Sequence, residues 1–171
     1  MTISRTVLLV FTLLLCAPTL ADTMEINGFQ FENPLGKAST TELGRGVMSA
    51  HWPGDKPYKE AQTEIIVVNL GPSTVETMAE GGGNVYDAVL ASMMGLFIEP
   101  EEINKTLFMG STSSRQVYNS SVPRKHVASV FSKNLEDGSF VLVGVRSFDP
   151  SNDGAGKLIQ SIANTFKKAP E

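Results

Sequence analysis

The sequence predicts an α+β fold, in which a mostly antiparallel sheet is packed by two main helices. Short apolar runs that alternate with polar residues or are rich in β-branched residues recur along the chain, as they do in strands. The dipeptides Asn27-Gly28 and Asp137-Gly138 each separate two such runs and are typical of hairpin turns. Two longer stretches instead repeat apolar residues at helical spacing. This order of elements favours helices packed on an antiparallel sheet.

Residues 1–21 resemble a secretory signal peptide. Arg5 supplies a positive charge, a mostly apolar run follows, and Thr19 and Ala21 provide the small residues that a signal peptidase needs. The apolar run is shorter than the roughly 20 residues of a membrane span. We therefore expect cleavage after Ala21, a periplasmic or secreted location, no stable membrane insertion, and one mature domain over residues 22–171.

Composition excludes several classes of function. The chain carries 14 basic and 18 acidic residues without basic clusters, which disfavours binding to nucleic acid and to anionic membranes. Its only cysteine, Cys16, lies in the predicted signal peptide. The mature chain would then lack disulfides, thiolate metal sites and a cysteine nucleophile, as fits a bacterial periplasm. A lipid-modified Cys16 is disfavoured because the bulky Leu15 precedes it.

The first half of the chain contains strands and then helices. The opening segment "MEINGFQFENP" predicts a hairpin at Asn27-Gly28 or, alternatively, one strand with a bulge. Residues 44–52 and 63–70 predict two further strands, the second of them apolar enough to be covered on both faces. Ser73 with Glu76 then predicts a capping box.

A longer helix of about four turns is expected from the spacing of apolar residues after the glycines. Asn84 is its predicted N-cap, and Glu99-Pro100 ends it because the residue before proline disfavours the helical region. The apolar residues that define its buried face are Val85, Val89, Met93, Leu96 and Phe97.

The second half of the chain predicts four strands and a final helix. The strands lie within residues 105–110, 115–122, 125–134 and 139–148. The last two strands form a hairpin through Asp137-Gly138. The closing helix has an apolar stripe made of Leu158, Ile159, Ile162 and Phe166.

This layout resembles the PsbP/Mog1-like superfamily, which includes small exported bacterial proteins of the DcrB type. The resemblance rests on "GFQFENP", "NVYDAVLASMMGLF", "VASVFSKNLEDGSFVLVGV" and "KLIQSIANTF". It implies a sandwich of helices on a sheet and a non-catalytic binding or accessory role. No ligand-binding residue is implied by the resemblance.

The segment "EGGGNVYDAV" does not have the features of a phosphate-binding loop. A helix rather than a strand is predicted before Gly81–Gly83, and no lysine follows the glycines. Glu80 and Asp87 add negative charge that repels phosphate. We expect Gly81 to end one helix in the left-handed conformation and Asn84 to cap the next.

The segment "DPSNDG" partly matches a calcium-binding loop. Asp149, Ser151 and Asp153 match the first ligand positions, but Gln160 stands where a bidentate carboxylate is required. Side-chain turns by Asp149 and Asn152 are the alternative. We predict no metal and no other cofactor, and a calcium-stabilised module stays an alternative.

No catalytic motif is present, and no catalytic residue is assigned. The two histidines, His51 and His126, lie in separate predicted strands, and no nucleophile elbow or zinc-protease motif accompanies them. A small secreted hydrolase stays the alternative, which a Ser, His and acidic residue clustered in one pocket would favour.

The predicted recognition site is the loop "HWPGDKPY", which places His51, Trp52 and Tyr58 around stiffening prolines. Aromatic residues on rigid loops are frequent anchors for binding partners. The alternative is that Trp52 packs into the core at a strand end. The sequence thus predicts a non-catalytic binding or accessory protein whose partner is a protein or a small molecule.

Overall fold

The computed structural model describes residues 22–91, 99–122 and 124–170. Within these ranges the chain is mostly β-structure, with three short α-helices and one turn of 3-10 helix at Tyr58–Glu60. The helices are α1 (Pro72–Glu80), α2 (Val85–Val89) and α3 (Gly154–Thr165). The strands are β1 (Asp22–Ile26), β2 (Phe29–Asn33), β3 (Ser39–Gly44), β4 (Val47–Trp52), β5 (Thr63–Leu70), β6 (Glu102–Phe108), β7 (Ser111–Ser120), β8 (His126–Asn134), β9 (Phe140–Ser147) and β10 (Lys167–Lys168).

The larger sheet has seven antiparallel strands in the order β3-β4-β5-β9-β8-β7-β6. The pairing of β5 with β9 joins the first half of the chain to the second, with Ile65 opposite Val145 and Val67 opposite Val143. These central strands are almost continuously apolar. Since successive side chains point to opposite faces, both faces of the sheet are buried at its centre.

The smaller sheet has three strands in the order β1-β2-β10. Asn27 and Gly28 connect β1 to β2 with φ angles of 54° and 80°, and Ile26 pairs directly with Phe29. Positive φ at both turn residues is the geometry that favours Asn-Gly in a two-residue hairpin. The hairpin prediction is therefore confirmed.

One face of the larger sheet is covered by α3 together with the smaller sheet. The Phe166 ring stacks on Phe29 with 5.1 Å between centroids and on Phe108 with 5.3 Å, which links the two sheets. Leu158 and Ile162 of α3 are fully buried in the same cluster. The opposite face is covered near one end by α1 and α2, which contribute Val75, Val89 and other apolar side chains.

The predicted α+β sandwich of two main helices on one sheet is wrong. A second sheet, formed by the first hairpin and β10, covers one face of the larger sheet together with α3. The polar strand β3 extends one edge of the larger sheet, and its sequence gave no periodic pattern to detect. The opposite edge is β6, which overlaps the strand predicted within residues 105–110. The central helix α2 covers Val85–Val89, helical backbone continues at residues 90 and 91, and the rest of the predicted helix lies outside the described residues.

Some predictions concern residues that the structure does not describe. The signal peptide predicted over residues 1–21 is one of them. The other is the continuation of the central helix through Met93, Leu96 and Phe97. No helix among the described residues is both long and apolar enough to cross a bilayer.

The helix ends differ in detail from the prediction. The N-cap of α1 is Gly71 instead of Ser73, because Pro72 occupies the first helical position, where its missing N–H costs nothing. The left-handed residue after α1 is Gly82 (φ 76°) and not Gly81. The Asn84 cap is confirmed, since its Oδ1 accepts the Tyr86 N–H at 3.0 Å.

Candidate functional site

The face of the larger sheet that α1 and α2 cover changes character along its length. Successive pairs on this face of β5 and β9 are Leu70–Phe140, Val68–Leu142, Ile66–Gly144 and Glu64–Arg146. Apolar pairs thus give way to a charged pair at one end. We call this region the polar end, and it consists of His51, Tyr58, Glu64, Arg124, His126, Arg146 and Phe148.

Glu64 and Arg146 form a buried ion pair at the polar end. Arg146 Nη1 donates to Glu64 Oε2 at 2.9 Å, and the Tyr58 hydroxyl donates to the same oxygen at 3.0 Å. Burial raises the pKa of Tyr58, and the Glu64 carboxylate raises it further. The phenol therefore stays protonated and serves as a donor at neutral pH. Such pairs contribute little net stability because desolvation offsets their attraction.

Two residues of the polar end, Tyr58 and Arg124, come from connections between strands. The Tyr58 ring packs edge-on against His51 and Phe148, with centroids 5.7 Å and 6.1 Å away. The Arg124 guanidinium lies 3.8 Å from the centroid of the Phe148 ring. It also donates to the carbonyl oxygens of Lys59, at 2.8 Å, and of Ala61. Arg124 thereby joins the segment before β8 to the turn after β4.

His126 is a buried polar residue at this end of the sheet with one ring nitrogen bonded and the other, within the described chain, without a hydrogen bond. Its side chain is buried, the residue being 3% exposed, and Nδ1 lies 2.8 Å from the Arg124 carbonyl oxygen. A carbonyl oxygen only accepts, so Nδ1 carries the proton. Among the described residues, His126 Nε2 has no hydrogen-bond partner.

The environment of His126 keeps its imidazole neutral. Burial lowers its pKa, and the cationic Arg146 and Arg124 lower it further, against the opposing effect of the Nδ1 hydrogen bond. A neutral imidazole with its proton on Nδ1 has an unprotonated Nε2. His126 therefore holds a buried hydrogen-bond acceptor that nothing in the described chain uses.

His126 and Phe148 line a cavity of about 860 Å³ at the polar end. This volume lies within the range of about 300–1,000 Å³ that is usual for small-molecule sites. The lining combines apolar surface with hydroxyl, amide, ammonium and imidazole groups. The remaining lining residues are Asn119, Ser120, Ser121, Val122, Lys125, Val127, Ser147 and Pro150.

The structure separates the three predicted recognition residues. Trp52 is 4% exposed, donates from Nε1 to the Gly36 carbonyl at 3.0 Å, and belongs to the core beneath α3. His51 is also buried, on the opposite face of β4, and its Nε2 donates to the Lys56 carbonyl at 3.1 Å. Tyr58 is the most accessible of the three, at 39%. His51 and Tyr58 are thus brought together, whereas Trp52 lies on the other face of the sheet.

The segment with the partial calcium motif forms side-chain turns. Asp149 Oδ1 accepts the Ser151 N–H at 3.0 Å, and Asn152 Oδ1 accepts the Gly154 N–H at 2.7 Å. Asp153 pairs with Lys157 at 2.9 Å instead of facing a common centre. The described part of the chain contains no group of three or more His, Cys, Asp or Glu residues arranged to hold a metal ion.

A catalytic Ser–His pair is not formed among the described residues. Ser120, Ser121 and Ser147 line the cavity with His126, yet His126 Nε2 bonds to none of them. Its Nδ1 is oriented by a backbone carbonyl and not by a carboxylate. The base of a hydrolytic triad needs a hydrogen-bonded nucleophile on one side and an orienting group on the other.

A second cavity, of about 680 Å³, lies beside α2. Tyr86, Asp87, Gln116 and Tyr118 are among its lining residues. The Tyr86 and Tyr118 hydroxyls are 3.1 Å apart, and the Tyr118 hydroxyl also donates to Gln116 Oε1. Its tyrosine hydroxyls already bond to each other and to Gln116, so we place the candidate site at His126.

Sequence reasoning missed most of the polar end, although one pattern pointed to it. Glu64 and Arg146 each lie near the end of a strand that is otherwise apolar, and a charge in such a strand needs a buried partner. Arg124 and Phe148 lie in connections, where no periodicity marks them. Comparison of the chain with protein-family models and with curated proteins found no match.

Proposed function

We propose that the chain is an exported, non-catalytic binding protein that holds a small molecule in the cavity beside His126. The observation that carries this proposal is a ligand-sized cavity whose lining includes His126, a buried residue whose Nε2 has no hydrogen-bond partner among the described residues. Export rests on the signal-peptide character of residues 1–21. The resemblance to the PsbP/Mog1-like superfamily stays a prediction that favours binding over turnover.

An unsatisfied acceptor in the interior is costly. Leaving a buried polar atom without a partner costs about 1–3 kcal/mol, so most buried acceptors in folded proteins are paired. A ligand that donates an O–H or N–H to His126 Nε2 would remove this cost on binding. We therefore propose that a ligand in the cavity supplies this donor.

The concave geometry favours a small molecule over a protein partner. Of the three residues predicted for partner recognition, Trp52 is buried in the core and His51 is buried under Tyr58. Tyr58 alone keeps substantial exposed surface, and it packs against Phe148, which lines the cavity. We propose that Tyr58 borders the binding site and does not itself anchor a protein.

A dye titration tests whether the cavity binds ligands. The neutral dye N-phenyl-1-naphthylamine has apolar rings and one N–H donor, and its fluorescence rises on leaving water. We expect saturable binding to the native chain. Val127→Trp should fill the cavity and abolish the increase, whereas Leu43→Trp, on an exposed site of β3, should not. Thermal melts of both variants must match the parent chain, and equal dye binding by both would overturn the proposal.

The hydrolase alternative keeps one supporting observation, which is the presence of His126 and three serines in the same cavity lining. Turnover of p-nitrophenyl acetate by the wild-type chain and His126→Gln distinguishes the two functions. Binding without catalysis predicts equal, background-level rates for both proteins. A rate that falls by about a hundredfold or more in His126→Gln, as loss of a general base would cause, would favour the hydrolase.

A further inference from the structure

We infer that the ligand of this cavity is an anionic amphipath, a small molecule with a negatively charged group, an apolar body and a hydrogen-bond donor. This inference rests on the proposed function, because it names the ligand class for the same cavity. It follows from three properties of the lining, which are its charge, its unused polar groups and its apolar surface.

The charge of the lining is positive. Lys125 is its only formally charged residue at neutral pH, and no carboxylate is among the ten lining residues. The carboxylates of Glu101 and Asp149 lie outside this lining, where Glu101 accepts a hydrogen bond from Asn119 and Asp149 accepts one from Ser151. Within the described part of the chain, Lys125 itself forms no ion pair. Its ammonium is therefore available to a ligand anion.

Most other polar groups of the lining already bond within the protein. The Asn119 amide donates to Glu101, and the Ser120 hydroxyl bonds to the Val122 carbonyl at 3.4 Å. The Ser147 hydroxyl donates to the Asp149 carbonyl at 3.3 Å. The polar groups left for a ligand include the Lys125 ammonium, which binds an anion, the Ser121 hydroxyl, and His126 Nε2, which accepts a hydrogen bond.

The rest of the lining is apolar and suits a compact hydrocarbon body. Val122, Val127, Phe148 and Pro150 contribute it. Val122 and Val127 are among the exposed apolar residues of the described chain, and Val127 lies on the larger sheet. Burying such surface under a ligand gives about 25 cal/mol per Å². An ion without an apolar part would leave this surface in water.

Two related dyes separate charge from apolar binding. The anion 8-anilino-1-naphthalenesulfonate and neutral N-phenyl-1-naphthylamine share the same rings and N–H, and they differ by the sulfonate. We expect the anion to bind about threefold to fivefold more tightly, as a partly exposed ion pair would cause. Lys125→Met should remove this preference, so that the variant binds the two dyes with equal affinity. Lys105→Met, an exposed lysine on β6 outside the cavity, is the matched control.

Substitutions of His126 test the hydrogen-bond donor of the ligand class. His126→Phe removes the acceptor and should weaken both dyes by about tenfold, the effect of one lost hydrogen bond. His126→Gln retains an acceptor and should recover part of the affinity. Thermal melts check that each variant folds.

The outcomes distinguish this inference from the proposed function. Equal affinity for the two dyes, unchanged by Lys125→Met, would overturn the anionic ligand class and leave the cavity as a binding site. Full dye affinity in His126→Phe would overturn the donor to Nε2. Failure of both dyes to bind the wild-type chain would overturn the proposed function together with this inference.

Discussion

The two ends of one face of the larger sheet share the same backbone pairing but bury different kinds of side chain, apolar at one end and charged at the other. At the apolar end, Val68 lies opposite Leu142 beneath the apolar side chains of α1 and α2. Four residues earlier on β5, Glu64 lies opposite Arg146, with Tyr58 and Arg124 nearby. The register is continuous between these positions, so only the side chains differ.

Stability accounts for the side chains of the apolar end and not for those of the polar end. Burial of apolar side chains at the apolar end contributes directly to the free energy of folding. The polar end buries an ion pair and an unpartnered imidazole nitrogen, which contribute little or are unfavourable. Residues that a stable fold does not require are those expected at a binding site.

Truncation at the apolar end should have one of the two largest effects on stability. Leu142 is 0% exposed, so Leu142→Ala should lower the free energy of unfolding by about 2–5 kcal/mol through lost burial and the cavity left behind. Leu107→Ala, at a residue 55% exposed on β6, is the matched control and should cost less than about 0.5 kcal/mol. Urea unfolding followed by circular dichroism measures both. Equal losses of unfolding free energy in the two variants would show that burial at the apolar end does not stabilise the fold.

Breaking the ion pair should have an effect of similar size. Arg146→Met leaves the Glu64 carboxylate buried without its cation and should cost about 3–5 kcal/mol at neutral pH. The double variant Glu64→Leu/Arg146→Met removes both charges, and we expect it to regain at least half of that loss. The same urea experiment applies. A double variant less stable than Arg146→Met would show that the pair stabilises the fold, which would contradict the contrast between the two ends.

The pH dependence of stability should reveal the neutral His126. Its pKa in the folded chain lies below the ordinary value of 6.5. As pH falls below 6.5, the unfolded chain binds a proton that the folded chain does not, so the folded state loses stability. The loss approaches about 1.4 kcal/mol per pH unit and continues until the folded pKa is reached.

The variant His126→Gln isolates the contribution of His126 to the pH dependence of stability, because the glutamine side chain does not titrate. Urea unfolding between pH 7.5 and 5 should show the wild-type chain losing stability relative to His126→Gln as the pH falls. No relative change is expected above the ordinary histidine pKa. Parallel curves over the whole range would contradict a buried, neutral imidazole.

The smallest effect on stability should come from Tyr58, which borders the proposed binding site. Tyr58→Phe removes the hydroxyl that donates to Glu64, and because Tyr58 is well exposed the cost should be about 1 kcal/mol or less. In the Glu64→Leu/Arg146→Met background the same substitution should cost nothing further, since its acceptor is gone. An undiminished cost in that background would mean that Tyr58 acts through ring packing on His51 and Phe148.

The sequence predicted the strands with strong apolar patterns and missed those without them. Residues 63–70 were predicted as the strand that the structure has as β5, and the hairpins at Asn27-Gly28 and Asp137-Gly138 are both present. The strand β3, with sequence "STTELG", has a single large apolar residue and forms through pairing with β4. Sequence periodicity does not show which strands pair in the folded chain. Such pairing also forms the second sheet, which is why the predicted fold class was wrong.

The candidate site was less predictable because it depends on which strands become neighbours. Glu64 and Arg146 are 82 residues apart in the chain and meet only through the β5–β9 pairing. Trp52 was predicted at the same loop as Tyr58, but strand alternation turns it to the opposite face from His51. A local cluster of aromatic residues in sequence therefore does not make a cluster in space.

The protonation state of His126 can be measured by a long-range proton–nitrogen NMR correlation of its imidazole at neutral pH, assigned with His51→Gln. We expect a protonated Nδ1 and an unprotonated Nε2 in the free chain. We also expect the Nε2 resonance to shift when 8-anilino-1-naphthalenesulfonate is added, and this shift to saturate with the dye fluorescence. A protonated Nε2 in the free chain, or an Nε2 resonance unchanged at dye saturation, would contradict the proposed ligand site at His126.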